Sequence, residues 1–279
     1  MQNNAEDITF KDYLQVLKEF SPYDFSDYSD NSISRRIQKV MRDYKLSLNG
    51  LIERTKTDND FAEQVIESLA VNTTELFRDP TLWTFLLENV YPSFKRKPSI
   101  NIWHAGCSSG QEVYSNLAML DHLKLLDRTT IYATDISRKV LEQAKKGIYK
   151  YNFNKIYIDN FNQVFHDKPV DFEDYFEIND VEDKIIVKDI IKNKVQFIKH
   201  DLIQKQLPFF NKFDIIFCRN VLIYFNVGLQ SKVIDKFYQS FFSNGTLVLG
   251  THETISGFYK TKFIKNNLVY SKSNTFHLK

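Results

Sequence analysis

The apolar residues in the first part of the chain recur at helical spacing. Four segments predict helices by this criterion: residues 7–20, 32–45, 47–55 and 60–70. In the first of them, one helix face collects Ile8, Tyr13, Leu14, Leu17 and Phe20. Beyond them, Asp79 and Pro80 predict the cap and the first residue of another helix. We therefore predict an all-helical N-terminal domain over residues 1–75.

After Pro98 the pattern changes to short apolar runs that alternate with helical segments. The runs predict strands at 100–104, 130–134, 195–200, 213–218 and 246–250. The segments between them predict helices at 112–126, 137–146 and 226–243. This alternation is typical of a doubly wound α/β fold with a mostly parallel sheet, which we assign to residues 76–279. Two last apolar segments, 268–271 and 275–278, predict a closing hairpin with an antiparallel strand.

One stretch interrupts the alternation. Residues 150–194 are too many for a simple connection between a helix and a strand. They contain an acidic run, 171–183, with seven carboxylates and no basic residue, followed by a strand-like segment at 184–188. We predict a small inserted β subdomain here.

Composition narrows the classes of function. The formal net charge is +2 and the chain contains two cysteines, Cys107 and Cys218. A nearly neutral chain has no general attraction to nucleic acid, and two cysteines exclude a disulfide scaffold. The six histidines show no ligand spacing, so we expect no metal site. No apolar run approaches the roughly 18 residues of a membrane span. We expect a monomeric cytoplasmic protein that does not insert into membranes.

The segment from Ala105 to Gly110 predicts a ligand-binding turn. It follows a buried strand and opens a helix, which in doubly wound folds is where ligands bind. The spacing of Gly106 and Gly110 is not that of a dinucleotide or phosphate loop. Asp135 ends the next strand, where a carboxylate can accept hydrogen bonds from ribose hydroxyls. Together they favour an adenosine-type ligand without phosphates. The alternatives are a tight turn without a ligand and a helix cap at Asp135.

Four ordered motifs match the sequence patterns of one known family. The first, 72–79 (NTTELFRD), resembles N-x-T-x-F-F-R-[DE], and the second, 105–115 (AGCSSGQEVYS), is similar to A-G-C-S-T-G-E-E-P-Y-S. The third is 133–136 (ATDI), and the fourth, 213–225 (FDIIFCRNVLIYF), matches F-D-x-I-x-C-R-N-V-x-I-Y-F almost throughout. In these motifs the chain resembles chemotaxis receptor methyltransferases of the CheR type, which are S-adenosylmethionine-dependent protein-glutamate O-methyltransferases. The resemblance implies the fold of these methyltransferases.

The resemblance also implies site residues. Cofactor contacts fall on Asn72, Thr74, Arg78, Gly106, Glu112, Asp135, Asp201, Leu202, Arg219 and Asn220. Arg78 and Tyr224 take the catalytic positions, with Tyr224 near the transferred methyl group. Alternatives stay open for three of these residues: a surface ion pair of Arg78 with Asp79 or Glu75, a helix cap at Asn220, and a core aromatic at Tyr224. Departures from the family pattern include Gln111, Val113, Leu76 and the run 250–253 (GTHE), in which Glu253 is retained.

A basic helix is the candidate surface for a protein substrate. Arg35, Arg36, Lys39 and Arg42 lie in one predicted helix, and positions 35, 39 and 42 share a face. Such a face attracts the acidic helical region of a membrane receptor or other sensory protein that carries the methylated glutamates. The alternative is a solvated helix face. In the family the inserted subdomain can also bind a receptor tail, but here it lacks the glycines of those relatives' turns.

The chain is therefore interpreted as an enzyme that methylates receptor glutamates and releases S-adenosylhomocysteine. Two other classes stay open: a regulatory module that binds the cofactor with little turnover, and a methyltransferase that acts on a non-chemotaxis protein or a small carboxylic acid.

Overall fold

The computed structural model describes residues 9–69, 73–203 and 212–273. The chain begins with four helices: α1 (Phe10–Phe20), α2 (Asp30–Tyr44), α3 (Leu48–Thr57) and α4 (Asn59–Leu69). Their apolar faces pack around a core of their own that contains Tyr13, Ile37, Leu51 and Phe61. Thr9 and Asp12 form a capping box that fixes the start of α1. Within the described ranges, no helix is both long and apolar enough to span a bilayer.

A seven-stranded sheet carries the rest of the fold. Its strands are β1 (Ile100–Ala105), β2 (Thr129–Asp135), β6 (Gln196–Lys199), β7 (Phe213–Cys218), β8 (Phe241–Leu249), β9 (Phe263–Asn266) and β10 (Val269–Lys272). The order across the sheet is β6-β2-β1-β7-β8-β10-β9, and neighbouring strands from β6 to β8 are parallel. The predicted α/β class is confirmed. The order reverses between β1 and β7, and in such folds ligands bind at this switch point, beyond the carboxyl ends of the strands.

Helices cover both faces of this sheet. They are α5 (Pro80–Phe85), which continues as a π-helical turn at Leu86–Val90, α6 (Gln111–His122), α7 (Arg138–Lys146) and α11 (Val227–Ser240). Successive side chains of β1 point to opposite faces of the sheet and belong to two hydrophobic cores. Ile102 packs on the side of α6, and Trp103 packs on the side of α11. Both faces are buried, which explains why the strands read as continuous apolar runs.

The segment between α7 and β6 forms a second, smaller sheet. Its strands are β3 (Ile148–Lys150), β4 (Phe176–Asn179) and β5 (Lys184–Val187), paired antiparallel in the order β3-β5-β4. Three helices accompany them: α8 (Ile156–Val164), α9 (Phe172–Tyr175) and α10 (Asp189–Lys192). The acidic run thus includes β4, whose alternating Phe176 and Ile178 turn toward the apolar core.

The second segment of the predicted closing hairpin, residues 275–278, lies outside the described residues. Within the described residues, β10 pairs with the preceding β9. A turn at Asn267, whose φ is +57°, joins the two strands. Asparagine tolerates this left-handed conformation better than most residues, and this turn signal places the hairpin earlier in the chain. β10 is antiparallel to both of its neighbours.

A short backbone junction joins the N-terminal helices to the sheet. Tyr28 forms an isolated antiparallel bridge with Phe225, and their rings meet edge to face with centroids 5.0 Å apart. On either side, the Ser29 amide donates to the Tyr224 carbonyl at 2.9 Å and the Asn226 amide donates to the Asp27 carbonyl at 2.9 Å. The loop between α1 and α2 is thereby fixed beside the carboxyl end of β7.

Phe77 connects the main sheet with the inserted segment. Its buried ring makes edge-on contacts with Trp83, Phe161 and Phe165 at centroid distances of 5.8, 5.4 and 5.7 Å.

We expect Phe77→Ala to lower the free energy of unfolding by about 3–5 kcal/mol, because three aromatic side chains lose their packing partner and a cavity is left between them. Denaturant unfolding measures this value. Phe258→Ala, which removes a ring that is 71% exposed, is the control and should change stability by less than about 0.5 kcal/mol. Equal losses in the two variants would contradict this account.

Candidate functional site

A cavity of about 270 Å³ lies at the switch point, beyond the carboxyl ends of β1, β2 and β7. Among its lining residues are all of the predicted cofactor and catalytic positions within the described ranges: Thr74, Arg78, Gly106, Glu112, Asp135, Asp201, Leu202, Arg219, Asn220 and Tyr224. Asn72 lies outside the described residues. The fold thus brings together side chains that are up to about 150 positions apart.

The glycine turn lets the backbone approach this cavity. The amides of Gly106 and Cys107 both donate to the Thr134 carbonyl, at 2.8 and 2.9 Å, which ties the turn to β2. Gly106 has a φ of +77°, and a Cβ atom there would lie 2.5 Å from a methyl carbon of Val221. Only glycine fits this position without strain. At the other end of the turn, Gly110 has a φ of +90° and immediately precedes α6.

Asp135 is a buried acceptor at the end of β2. Its carboxylate accepts from the amides of Ser108 at 2.8 Å and Ser137 at 3.0 Å. Ser137, not Asp135, supplies the side-chain cap of α7, so the cap alternative does not describe Asp135. A carboxylate offers about four lone-pair sites, so Asp135 keeps acceptor capacity for hydroxyl donors in the cavity. Burial raises the pKa of Asp135, and the amide donors only partly offset this effect.

A second buried carboxylate, that of Asp201, also lines the cavity. It accepts from the Ile203 amide at 2.9 Å, and burial raises the pKa of Asp201. Tyr28 also lines the cavity and comes from the loop between α1 and α2. Sequence reasoning missed Tyr28, because no motif marks it and its proximity arises from the junction with Phe225.

Arg219 is the centre of a buried ion-pair network. Its side chain is 2% exposed, and its two terminal nitrogens bond Glu112 at 3.1 Å and Asp79 at 2.7 Å. The second nitrogen also donates to the Arg78 carbonyl at 2.9 Å. Protein groups therefore occupy both ends of the guanidinium fork. Arg219 lines the cavity, but the contacts show it holding Glu112 and the Asp79 segment in place.

This network corrects the interpretation of Asp79. Asp79 precedes Pro80 at the start of α5, as predicted, but its side chain makes no cap hydrogen bond. Its φ is +59°, and its carboxylate turns toward Arg219 instead. The buried guanidinium requires neutralisation, and that demand outweighs the weaker gain from a helix cap. The Asp79 carboxylate is thus directed away from the surface ion pair with Arg78 that the sequence left open.

Glu253 organises the loop after β7. Its carboxylate accepts from the amides of Gly250, Asn220, Val221 and Leu222 at 2.7–2.9 Å. These bonds hold the loop that leads from Arg219 to Tyr224, with Asn220 at a φ of +59°. Asn220 therefore does not cap a helix; Asn226 caps α11. The sequence showed Glu253 as a retained residue without revealing what it does.

Arg78 and Tyr224 lie on the more accessible side of the cavity. Both side chains are half-buried, and among the described residues the Arg78 guanidinium donates one long hydrogen bond, to the Thr73 carbonyl at 3.5 Å. Tyr224 lines the cavity and lies below the Arg36 guanidinium, whose carbon is 4.6 Å from the ring centroid. Burial raises the pKa of Tyr224, so its hydroxyl stays protonated at neutral pH. Arg78 therefore keeps donor capacity, and Tyr224 is a hydrogen-bonding group, not a base.

The predicted basic surface divides into two parts. Arg35, Lys39 and Arg42 are exposed on α2, as their spacing predicts. Arg36 differs, because it is half-buried and donates to the Leu69 carbonyl at 2.6 Å while it covers Tyr224. The next position along a helix is rotated by about 100°, which turns Arg36 from the common face toward the cavity.

Comparison with known proteins identifies the same family from several directions. Residues 72–270 match the family model described as the CheR methyltransferase, SAM binding domain. The Cher3 protein of Pseudomonas putida is 35% identical over 90% of this chain and 92% of its own length. The chemotaxis protein methyltransferase of Borreliella burgdorferi is 33% identical over 72% of this chain and 71% of its own length. Chemotaxis protein methyltransferase 1 of Vibrio cholerae is 31% identical over 90% of both chains.

Asp135 gives a direct test of the cavity as the cofactor site. We expect Asp135→Ala to weaken S-adenosylmethionine binding by about 1.5–3 kcal/mol, the range for a hydrogen bond to a charged group. Calorimetry measures the affinity. Asp127→Ala removes a carboxylate that is 96% exposed and should leave affinity unchanged. Unchanged affinity in a folded Asp135→Ala variant would remove Asp135 from the cofactor site.

Proposed function

This chain belongs to the CheR methyltransferase family and is an S-adenosylmethionine-dependent methyltransferase; we propose that it methylates glutamate side chains of a sensory receptor. The products are glutamate methyl esters and S-adenosylhomocysteine. One observation carries this proposal: a cavity with buried acidic acceptors inside and Arg78 with Tyr224 at its accessible side lies next to the basic helix α2.

The acidic groups of the cavity match the donors of the cofactor. We propose that Asp135 accepts from the ribose hydroxyls and Asp201 from the adenine amino group. Glu112 then receives the ammonium group of the methionine part, while Arg219 holds its Oε2 atom in place. Within the described residues, the Arg78 guanidinium makes only a long hydrogen bond to the Thr73 carbonyl, so it can supply a fork for a carboxylate. Thr74, Leu202 and Asn220 complete the walls of this site.

The proposed methyl transfer requires no proton transfer by a protein side chain. A carboxylate oxygen attacks the methyl carbon in line, and the sulfur–carbon bond breaks as the oxygen–carbon bond forms. The sulfonium leaves as a neutral thioether. A glutamate is already ionised at neutral pH, so no general base is needed. The protein must align the two reactants and exclude water, and a cavity lined by buried side chains with a neutral Tyr224 hydroxyl supports both.

The exposed part of α2 supplies the attraction to the substrate. Arg35 and Arg42 are exposed, and Lys39 is 61% exposed although it pairs with Asp43. We propose that this surface meets an acidic helical region of a receptor in the cytoplasm and that a glutamate then enters beside Tyr224. Charges at the rim of an interface mainly set association rates and specificity.

The substrate class is tested directly with labelled cofactor. Cell extract is incubated with the full chain and S-adenosylmethionine that carries an isotopic methyl group, and mass spectrometry locates the label. We expect label on glutamate side chains as methyl esters that hydrolyse in mild base. Label only on small carboxylic acids, or cofactor binding without turnover, would replace the receptor proposal by one of those two functions.

We expect Arg78→Ala to lower kcat/KM by about 100-fold, because a misplaced reactant loses most of the benefit of alignment. Tyr224→Phe keeps the ring below Arg36 and should cause a smaller loss. Both should change the free energy of unfolding by less than about 1 kcal/mol. Arg54→Ala and Tyr151→Phe, which change residues outside the cavity lining, are the controls for steady-state kinetics. Full activity in both test variants would refute the assigned roles.

Charge reversal tests the receptor-facing surface. We expect Arg35→Glu with Lys39→Glu to slow receptor methylation strongly while S-adenosylmethionine affinity stays constant. Raising salt should slow the wild type more than this double variant, because the Debye length is about 8 Å at physiological salt. The matched control, Lys260→Glu with Lys265→Glu, makes the same change in net charge at exposed positions in and before β9. Identical rates and salt slopes for the two double variants would assign α2 to a solvated face.

A further inference from the structure

A buried histidine contacts the Glu112 carboxylate from within the sheet. His104 lies on β1 with no exposed surface, and its Nδ1 atom is 2.8 Å from the Oε1 atom of Glu112. Its ring is stacked on Phe217 of the neighbouring strand β7, with centroids 4.4 Å apart and an angle of 7° between the planes. The imidazole therefore has a fixed plane, and one nitrogen is directed at a carboxylate that lines the cavity.

Two further buried groups determine which nitrogen carries the proton. The Tyr91 hydroxyl donates to the Oδ1 atom of Asn116, which turns the Asn116 amide nitrogen toward Nε2 of His104 at 3.0 Å. In this arrangement Nε2 accepts a hydrogen bond, so the ring proton is on Nδ1. The chain from Tyr91 through Asn116 to His104 thus ends in an N–H that donates to Glu112.

We propose that His104 is a positioning residue that holds one oxygen of Glu112, so that this carboxylate receives the ammonium group of S-adenosylmethionine. The inference rests on the cofactor placement given above under the proposed function. Oε1 is held by His104 and Oε2 by Arg219, at 2.8 and 3.1 Å. With both oxygens fixed from the protein side, the remaining lone pairs have a defined direction, which is what recognition of a tetrahedral ammonium group requires.

The burial of these groups argues against a purely structural part for His104. An apolar side chain would fill the same space without the free-energy cost of burying the three polar side chains of Tyr91, Asn116 and His104. This hydrogen-bonded series instead stabilises the ionised Glu112 carboxylate at the cavity wall. Burial alone would raise the pKa of Glu112, but the His104 hydrogen bond and the Arg219 charge outweigh it, so the pKa lies below its usual range.

The other titratable groups around Glu112 do not supply this effect. The thiols of Cys107 and Cys218 and the hydroxyl of Tyr91 are buried, and burial raises the pKa of each, so all three are neutral at physiological pH. Arg219 is the cation in contact with Glu112, and it also pairs with Asp79. Removal of the His104 hydrogen bond should therefore raise the pKa of Glu112.

Two ligands separate positioning from general structural support. S-adenosylhomocysteine carries the amino-acid part of the cofactor, whereas 5′-methylthioadenosine lacks it and cannot use Glu112. We expect His104→Leu in the full chain to weaken S-adenosylhomocysteine about tenfold or more by calorimetry and to leave 5′-methylthioadenosine unchanged. His104→Asn, which retains an N–H near the Nδ1 position, should recover part of the loss.

The pH dependence gives a second readout. As the pH is lowered and Glu112 becomes protonated, the affinity for S-adenosylhomocysteine falls relative to the affinity for 5′-methylthioadenosine. Because the pKa of Glu112 is higher in His104→Leu, this fall should begin at a higher pH in the variant than in the wild type. Equal weakening of both ligands, or an unshifted pH profile, would overturn the proposal. In the wild type, nitrogen NMR should find the His104 proton on Nδ1, and an unprotonated Nδ1 would also overturn it, even where the variants do not fold.

Glu112→Gln distinguishes this inference from the placement on which it rests. Loss of S-adenosylhomocysteine affinity in Glu112→Gln with none in His104→Leu rejects only the positioning part for His104. No loss in Glu112→Gln rejects the cofactor placement itself, and with it the inference.

Discussion

The neutralisation of one buried guanidinium determines how the site is assembled. Arg219 directly follows β7 in the middle of the sheet and is almost fully covered, so carboxylates must reach it to neutralise its charge. Glu112 arrives from α6, and Asp79 arrives from the segment before α5, where the Thr251 hydroxyl lies 3.3 Å from the same Asp79 oxygen. This one requirement brings together segments that are far apart in the chain, which explains why the recognisable motifs are separate in the sequence and adjacent in space.

The distribution of charge separates two binding tasks. The cavity interior presents Glu112, Asp135 and Asp201, which suits a ligand with a sulfonium, an ammonium group and several hydrogen-bond donors. The same charges disfavour deep entry of an acidic substrate. The exposed cations of α2 lie outside the cavity and are suited to hold such a substrate at its entrance. This separation of an acidic interior from a basic exterior supports the proposal that one chain binds a cationic cofactor and an acidic helix in adjacent places.

Sequence reasoning located the parallel strands and the cavity more reliably than the details of pairing. Buried strands such as Phe213–Cys218 are recognisable because both of their faces are apolar. β4 was hidden because Glu177 and Asn179 alternate with its buried residues inside an acidic run, and β9 because it has only two apolar residues. Side-chain partners were harder still. The local sequence predicted a helix cap at Asp79, but the ion pair with the distant Arg219 determines where that side chain lies. The local sequence also gave no sign that Tyr28 would reach the cavity, because its position depends on the bridge to Phe225.

The junction at Tyr28 has a consequence for the order of events during catalysis. Tyr28 lines the cavity, and the loop that carries it is attached by backbone hydrogen bonds to the segment that carries Tyr224. A ligand that contacts Tyr28 therefore adds free energy to the docking of the N-terminal helices, and thermodynamic reciprocity requires that their docking strengthen the ligand by the same amount. A receptor that binds α2 and stabilises its docking on the sheet would thus raise the affinity for the cofactor. Release of S-adenosylhomocysteine would in turn lower the affinity for the receptor. The affinities for the two ligands would then be linked through this loop, in addition to their direct contact at the transferred methyl group.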